Sequence, residues 1–446
     1  MDIKYDSRKV TYGDTFVAMR GFLSDGHDYI ADAIARGAKR IVAEHGTYEV
    51  DTLIVKDTRE YLTKYLKETY QEQLKSLKLI GMTGTNGKTT TCFLIYQALR
   101  SLGIKCAYIG TIGFYIDDLV EELQNTTPDI LELYEMLLTC QKEDCQYVIM
   151  EVSSHALDMN RIGDLEFDVA IFSNLTKDHL DYHLDMKSYA LAKQKLFYHL
   201  KYNGLALVNA DDDYKSFFLV HNNTITYGLT DGDYRLCDYK IDIHGSQFTI
   251  DGTTYHTTLI GKHNLYNVLV VIVLLKKLQV PEAKIVTIIE SLQAPTGRME
   301  MIPYQENIIV VDYAHTPDAV SNIISAFQEI THHHLYTVLG CGGNRDKTKR
   351  PIMAKIATDL STNVIFTSDN PRNEEPKEII HDMVSTLDNS NYEIEENRAI
   401  AISRGIQMCE KNDILLVLGK GHEAYQLIKG NKIHFSDAEI IQDLIK

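Results

Sequence analysis

Residues 77–91 read Leu-Lys-Leu-Ile-Gly-Met-Thr-Gly-Thr-Asn-Gly-Lys-Thr-Thr-Thr. The apolar run 77–80 predicts a buried strand, 81–87 a Gly-rich turn, and Lys88 and Thr89 open a helical pattern running to about residue 102. Glycines let a backbone approach phosphate oxygens, so the N–H groups of Gly84, Thr85, Asn86 and Gly87 and the new helix N-terminus are expected to face an anion. Lys88 is placed to reach β/γ-phosphates and the Thr89 hydroxyl, or that of Thr90, to hold Mg²⁺. The usual pattern G-x-x-x-x-G-K-[ST] puts Met82 where its first glycine should stand, but Gly81 and Gly84 keep the stretch Gly-rich. The order of strand, loop, lysine, hydroxyls and helix points to a nucleoside triphosphate. A Gly-rich turn that only ends a strand is the plainer alternative.

The bulk numbers narrow the class. A chain of 446 residues has room for two or three domains at roughly 100–200 residues each. A formal net charge of −17, with no basic run interleaved with aromatics, argues against a nucleic-acid partner. The most apolar helical stretch, near residues 268–275, stops at Lys276 and Lys277, so no membrane span is expected. The charged N-terminus does not read as a signal peptide. The seven cysteines are an odd number without a C-x-x-C pair, which fits reduced cytosolic thiols better than disulfides or zinc. A cytoplasmic, monomeric enzyme is expected.

Along the chain, residues 1–77 mix short strands (15–19, 38–43, 52–55) with helices near 29–36 and 61–73. Residues 78–297 alternate strands and helices, as a parallel sheet with helices on its faces requires. Thr127-Pro128 predicts a helix start, with Thr127 as N-cap, and 146–150 a buried strand that delivers Glu151 to its C-terminal end, where open α/β sheets bind ligands. Residues 235–259 read as antiparallel strands and 264–278 as a buried helix. From 298 the alternation starts afresh, with strands near 308–311, 335–339, 364–367 and 414–418. Its Gly340 to Gly343 turn lacks G-x-G-x-x-G spacing and is not read as an NAD site.

Chemistry gathers at strand ends. Glu151 is placed like a carboxylate holding Mg²⁺ opposite a phosphate loop; capping the next helix is its alternative role. His179 and His183 have i, i+4 spacing, yet no glutamate sits between them as H-E-x-x-H would need, so zinc hydrolysis is disfavoured. The run His332-His333-His334 reads as a solvated loop, and Cys341 as a bystander thiol.

The ordered motifs G-M-T-G-T-N-G-K-T-T (81–90), M-E-V-S-S-H-A-L (150–157), N-L-T-K-D-H-L-D-Y-H (174–183), G-K-H-N (261–264), G-R-M-E (297–300), V-D-Y-A-H-T-P-D (311–318), G-G-N-R-D (342–346), D-N-P-R (369–372) and G-K-G-H-E (419–423) resemble the Mur ligases over nearly the whole chain. The resemblance implies an α/β, three-domain fold: a small UDP-sugar-binding domain (1–77), a central ATP-binding domain with a phosphate-loop parallel sheet (78–297), and a C-terminal Rossmann-like amino-acid-binding domain (298–446). It implies that ATP turns a carboxylate into an acyl phosphate, which an amino-acid amine then attacks. One Mg²⁺ would lie on Thr89 and Glu151 and a second on His179 and a CO₂-derived carbamate of Lys193, with Lys195 the rival lysine. ATP would further be held by Asn267, Arg298 and Asp312.

The UDP-sugar positions implied are Ser7, Thr126, Thr127, Ser153 and Arg161. The amino acid falls to Arg345, Asp369, Asn370, Arg372, Gly419 and Glu423. D-N-P-R accompanies meso-diaminopimelate in the family, and the physics agrees: diaminopimelate differs from lysine by one distal carboxylate, which a guanidinium binds through paired hydrogen bonds. The expected substrates are therefore ATP, UDP-N-acetylmuramoyl-dipeptide and meso-diaminopimelate. Against the family pattern, the usual N-terminal extension is missing, Met159 stands near Arg161, and Asn344 replaces an aspartate. A related ligase with another acceptor, such as L-lysine or a folylpolyglutamate-like substrate, and a non-enzymatic nucleotide switch are the competing readings.

Overall fold

The computed structural model describes residues 2–446 apart from Phe22, Leu23, His332 and Asn389, so the first of the three consecutive histidines lies outside the described residues. The chain divides into two compact units. One comprises Met1–Gly81, Ile104–Ala170 and Lys195–Gly204; the other comprises Met82–Gly103, Ile171–Gln194 and Leu205–Lys446.

In the first unit, strands Ile3–Lys4, Thr15–Val17, Arg40–Ala43 and Asp51–Ile54 form a parallel sheet in that order. Phe16, Ile30, Ala33 and Ile41 fill its core. Helix Thr58–Leu74 starts on Asp57, whose carboxylate accepts the Glu60 N–H at 2.9 Å, a satisfied N-cap. Strands Tyr147–Glu151 and Cys106–Gly110 pair in parallel. Glu151 is thereby carried, fully buried, to a strand end.

Helix Ile130–Lys142 corrects one expectation. Its N-cap is Asp129, which accepts the Ile130 N–H at 2.7 Å and also takes both guanidinium nitrogens of Arg59 at 2.8 and 3.1 Å. Thr127 is not the cap, because its hydroxyl donates instead to the Glu151 carbonyl at 2.9 Å.

In the second unit, the helix Lys88–Ser101 follows the glycine loop and helix Lys262–Lys277 is buried along most of its length. Strands Asp238–Asp242, Gly245–Ile250 and Thr253–Thr257 form the expected antiparallel sheet. A six-stranded sheet then runs in the order Glu300–Tyr304, Asn307–Asp312, Ile414–Leu418, Leu335–Cys341, Asn363–Ser368, Tyr392–Ile394, antiparallel only at its first pair. Alternate residues of its strands face two cores. Val310, Leu339, Phe366 and Leu416 pack with Ile324, Phe327, Met353 and Ile380 on one face. Val311, Val338, Ile365 and Val417 pack with Ile402, Ile406 and Ile441 on the other. A sheet covered on both faces needs near-continuous apolar strands, and Ile414–Leu418 is buried throughout.

Under this sheet Arg398 and Asp437 form a fully buried, two-pronged ion pair at 2.7 and 2.6 Å. Breaking such a pair strands an uncompensated charge, so Asp437→Leu is expected to cost about 3–5 kcal/mol. Urea unfolding of the two proteins measures it; a loss below about 1 kcal/mol would show that Arg398 finds other partners.

Candidate active site

A further correction concerns the Gly-rich loop. The strand Lys78–Thr83 runs further than the apolar pattern suggests, so Gly81 and Met82 are strand residues. A Cβ on Gly81 would sit 2.7 Å from the Phe167 ring, which explains a glycine there without any phosphate. The loop proper is Gly84 to Gly87. A Cβ on Gly84 would fall 1.9 Å from the Ser173 hydroxyl, so only glycine fits against that strand end. Gly87 has φ 85° and starts the helix with no side-chain cap, as a helix N-terminus that receives an anion does.

Two loop N–H groups expected to face the anion are engaged elsewhere. Thr85 N–H donates to the Asn174 carbonyl at 2.8 Å and Asn86 N–H to the Asn174 side-chain oxygen at 2.9 Å. Ser173 Oγ in turn donates to the Asn86 carbonyl at 2.7 Å. The loop is thus clamped from outside through these two N–H groups. Lys88 Nζ folds back on the Gly84 and Thr85 carbonyls, both at 2.9 Å.

The same Gly84 carbonyl accepts from Lys193 Nζ at 2.7 Å. Lys193 is 1% exposed and lies over the Tyr189 ring at 4.5 Å. Burial and the neighbouring Lys88 charge hold its pKa well below the ordinary lysine value, against the pull of Asp178. Its amine is therefore disposed to be neutral. Lys195, the rival, pairs with Asp158 at 2.8 Å on a more exposed face, in the other unit. His179 has φ 55°, lies 3.3 Å from Asp178 and meets Tyr189 edge-on. His183 is buried against the same Tyr189 ring. The two histidines thus flank an aromatic ring, which gives the i, i+4 spacing a packing explanation.

The ATP positions gather near the first helical turn. Asn267 Oδ1 accepts from Thr91 Oγ1 at 2.9 Å and lies 2.7 Å from where a Gly87 Cβ would be. Thr89 is buried, and its hydroxyl accepts from Arg298 Nη2 at 3.3 Å; Thr90 is half-buried. Arg298 stacks on Tyr313 at 4.4 Å. Asp312 accepts the Met299 and Ala314 N–H groups, both at 2.7 Å, so it shapes the backbone that carries Arg298.

Sequence reasoning assigned no role to Asp318, the last residue of V-D-Y-A-H-T-P-D. It accepts from the loop's Asn86 Nδ2 at 2.7 Å and ties the loop to helix Pro317–Ile330. Burial raises its pKa. Nor did spacing reveal His315, whose pKa burial and the Lys349 charge push down to about 4 despite Asp178; burial brings His263 to about 4 as well. An unfolded histidine titrates near 6.5, so between about 6.5 and 4 the unfolded chain binds more protons than the folded one. Stability is therefore full above pH 6.5 and falls as pH drops towards 4. Melting temperature against pH checks this, and His315→Asn should flatten the slope.

The remaining residues of the second unit cluster at the C-terminal ends of three adjacent strands. Arg345 follows Leu335–Cys341, Asp369 to Arg372 follow Asn363–Ser368, and Gly419 to Glu423 follow Ile414–Leu418. Arg372 has φ 55° and is locked there by its N–H on the Leu427 carbonyl (2.8 Å) and its carbonyl on the Lys429 N–H (2.6 Å). Its Nη1 donates to the Gly343 carbonyl at 2.8 Å. Burial and the nearby Arg345 charge lower its pKa, while Asp369 and Glu423 raise it. Asn370 Nδ2 donates to Glu423 at 2.7 Å, and a Cβ on Gly419 would press on Asp369 at 2.7 Å. Asn344 fits as it stands: its N–H donates to Glu374 and its side-chain oxygen accepts the Asn373 N–H at 3.0 Å.

In the first unit, Glu151 does not cap the following helix; Ser153 does, accepting from the Ala156 N–H at 3.2 Å. The Glu151 carboxylate is held by the Tyr108 hydroxyl at 2.5 Å, the Thr111 N–H at 2.8 Å and the Thr111 hydroxyl at 3.1 Å. Thr126 lies 3.1 Å from that hydroxyl, and Thr127 accepts the Ser153 N–H at 3.0 Å. Arg161 donates to the Thr127 carbonyl at 3.5 Å, leans on Met159 and keeps its Nε buried without a hydrogen-bond partner. These four positions form one group. Ser7 is buried with its hydroxyl on Asp32.

Three family profiles match the chain: Mur ligase family, catalytic domain, over residues 2–73; Mur ligase middle domain over 82–275; and Mur ligase, glutamate ligase domain, over 297–421. The UDP-N-acetylmuramoyl-L-alanyl-D-glutamate–2,6-diaminopimelate ligase of Clostridium perfringens is 38% identical over all of this chain and 95% of its own length. The protein of the same name from Fusobacterium nucleatum is 41% identical, over 98% of this chain and 92% of its own. A solved structure of a ligase of that name superposes with a TM-score of 0.70 at 32% identity, covering 99% and 94% of the two chains. MurF from Thermotoga maritima in complex with ADP, at 20% identity and a TM-score of 0.68 over 93% of each chain, shares the fold.

Proposed function

We propose, from the premise that this chain belongs to the Mur ligase family, that it is the ATP-dependent ligase adding meso-diaminopimelate to UDP-N-acetylmuramoyl-L-Ala-D-Glu, a cytoplasmic step of peptidoglycan precursor synthesis. A substrate carboxylate oxygen attacks the γ-phosphorus and ADP leaves; the amine then attacks the acyl carbon of the mixed anhydride and phosphate leaves. The first step brings anions together, so cations must meet them. Lys88 and Arg298 supply two, and the Asn86 to Asp318 bond links the loop that receives ATP to the block that carries the amino acid.

The donor types present suit two cofactors of the family. Thr89 and Glu151 offer hard oxygen ligands, as Mg²⁺ requires, and Mg²⁺ when bound would neutralise β/γ-phosphate charge. Lys193 is buried, and burial with the Lys88 charge lowers its pKa well below the ordinary lysine value, which favours the uncharged amine that CO₂ requires; as a carbamate it would supply an oxygen ligand for a second Mg²⁺ beside His179. On the sugar-nucleotide side, Thr126, Thr127, Ser153 and Arg161 present hydroxyls and a guanidinium suited to anionic groups.

The observation that carries the choice of amino acid is Arg372, held in a left-handed backbone beside Arg345, Asp369 and Glu423. Two guanidiniums and two carboxylates complement an end group that bears both carboxylate and ammonium. L-lysine would leave Arg372 unpaired. The deciding assay is ADP release as a function of UDP-muramoyl-dipeptide and amino acid. Release that requires both, with diaminopimelate far ahead of L-lysine, supports the reading. Release without any amino acid would instead indicate a nucleotide switch, and release with a different acceptor a related ligase.

A further inference from the structure

Lys420 carries none of the roles given above, yet its side chain is fully buried within the amino-acid block. It sits between Gly419 (φ 116°) and Gly421 (φ 51°), a turn that aims it inward. Its Nζ lies 3.4 Å from Asn370 Oδ1 and 3.4 Å from Glu423 Oε2, and it donates to the Tyr425 carbonyl. Asn370 closes the arrangement: Oδ1 also accepts the Leu427 N–H at 2.9 Å, and Nδ2 donates to the same Glu423 Oε2 at 2.7 Å. One carboxylate oxygen thus receives both a lysine and an amide donor. The other, Oε1, is the oxygen left to meet a ligand.

We propose that Lys420 is a positioning residue for amino-acid selection: with Asn370 it locks the Glu423 carboxylate so that Oε1 faces the ammonium of the incoming amino acid. A buried carboxylate without such anchoring turns about its terminal bond and divides its charge between directions. Lys420 also compensates the negative charge that Glu423 and Asp369 bring to one enclosed place, as a buried carboxylate requires. The inference rests on the amino-acid reading above and adds the residue that orients its acid.

The test is steady-state kinetics of the full-length protein as Lys420→Met, Glu423→Gln, and the two combined. Lys420→Met is expected to raise KM for diaminopimelate at least about tenfold, as loss of a partner to a buried charge does, while KM for ATP and UDP-muramoyl-dipeptide stays within about twofold. The double variant should bind diaminopimelate no worse than Glu423→Gln alone, because Lys420 acts through Glu423. An unchanged KM in Lys420→Met overturns the inference, as does a rise in all three constants together or a double variant whose penalties multiply. Should Lys420→Met not fold, the double variant, which removes both charges at once, carries the comparison with Glu423→Gln by the same criterion. Unchanged diaminopimelate kinetics in Arg372→Ala and Glu423→Gln would instead overturn the amino-acid reading, and this inference with it.

Discussion

Lys193→Ala is expected to lower kcat by about a thousand-fold or more, the scale of losing a group that stabilises transition-state charge, a loss far larger than the fraction of protein that unfolds at the assay temperature. The amine is unfavourably buried and spends one hydrogen bond on the Gly84 carbonyl, so relief of its desolvation offsets part of what truncating the buried side chain costs. Burial and the Lys88 charge disfavour the charged form of this amine, so the role proposed for it is the one it would have as a carbamate. A carbamate turns a desolvated base into an oxygen donor beside the loop. Intact-protein mass spectrometry should accordingly find the mass of one CO₂ on the wild type at neutral pH. It should be lost on acidification and absent from Lys193→Ala. A short carboxylic acid added in excess should restore part of the alanine variant's activity. Full activity in Lys193→Ala would show that the buried amine only packs against Tyr189.

The second large effect falls on the amino acid. Arg372→Ala should lower kcat/KM for diaminopimelate by about a thousand-fold or more, since a site built for a charged group discriminates strongly when the pairing is lost. KM for ATP should stay close to wild type. Arg372 occupies a left-handed backbone, whose Cβ strain arginine and alanine share. Arg372→Asn is the cleaner variant, because asparagine tolerates that conformation. If the asparagine variant still selects diaminopimelate over L-lysine, Arg372 is not the group that reads the distal carboxylate.

Much of the architecture was legible because buried parallel strands must be apolar and their ends must carry polar groups. The runs 414–418 and 364–367 place Asp369 to Arg372 and Gly419 to Glu423 at strand ends from sequence alone. Errors came where one side chain had two possible partners. Thr127-Pro128 has the look of a helix start, but a backbone carbonyl at Glu151 and an N–H at Ser153, both distant in sequence, claim its hydroxyl, and Asp129 caps instead. Gly81 read as part of a loop although its missing side chain serves the Phe167 ring. Both outcomes were set by neighbours that no local window contains.

Local order along the chain determined that a Gly-rich loop joins a strand to a helix, which lysines and carboxylates follow strands, and that an arginine closes D-N-P-R at a strand end. Those properties depend on residue type and on contacts a few residues apart. Tertiary structure alone decided that Asn174 takes the Thr85 and Asn86 N–H groups, that Asn86 reaches Asp318, that Lys193 is stripped of water beside Lys88, and that Lys420 lies beneath Asn370 and Glu423. Each joins groups separated by dozens to hundreds of positions, or depends on solvent exclusion. Desolvation belongs to the packed whole and has no counterpart in sequence spacing, which is why the burial of Lys193 and Lys420 became visible only once the chain was folded.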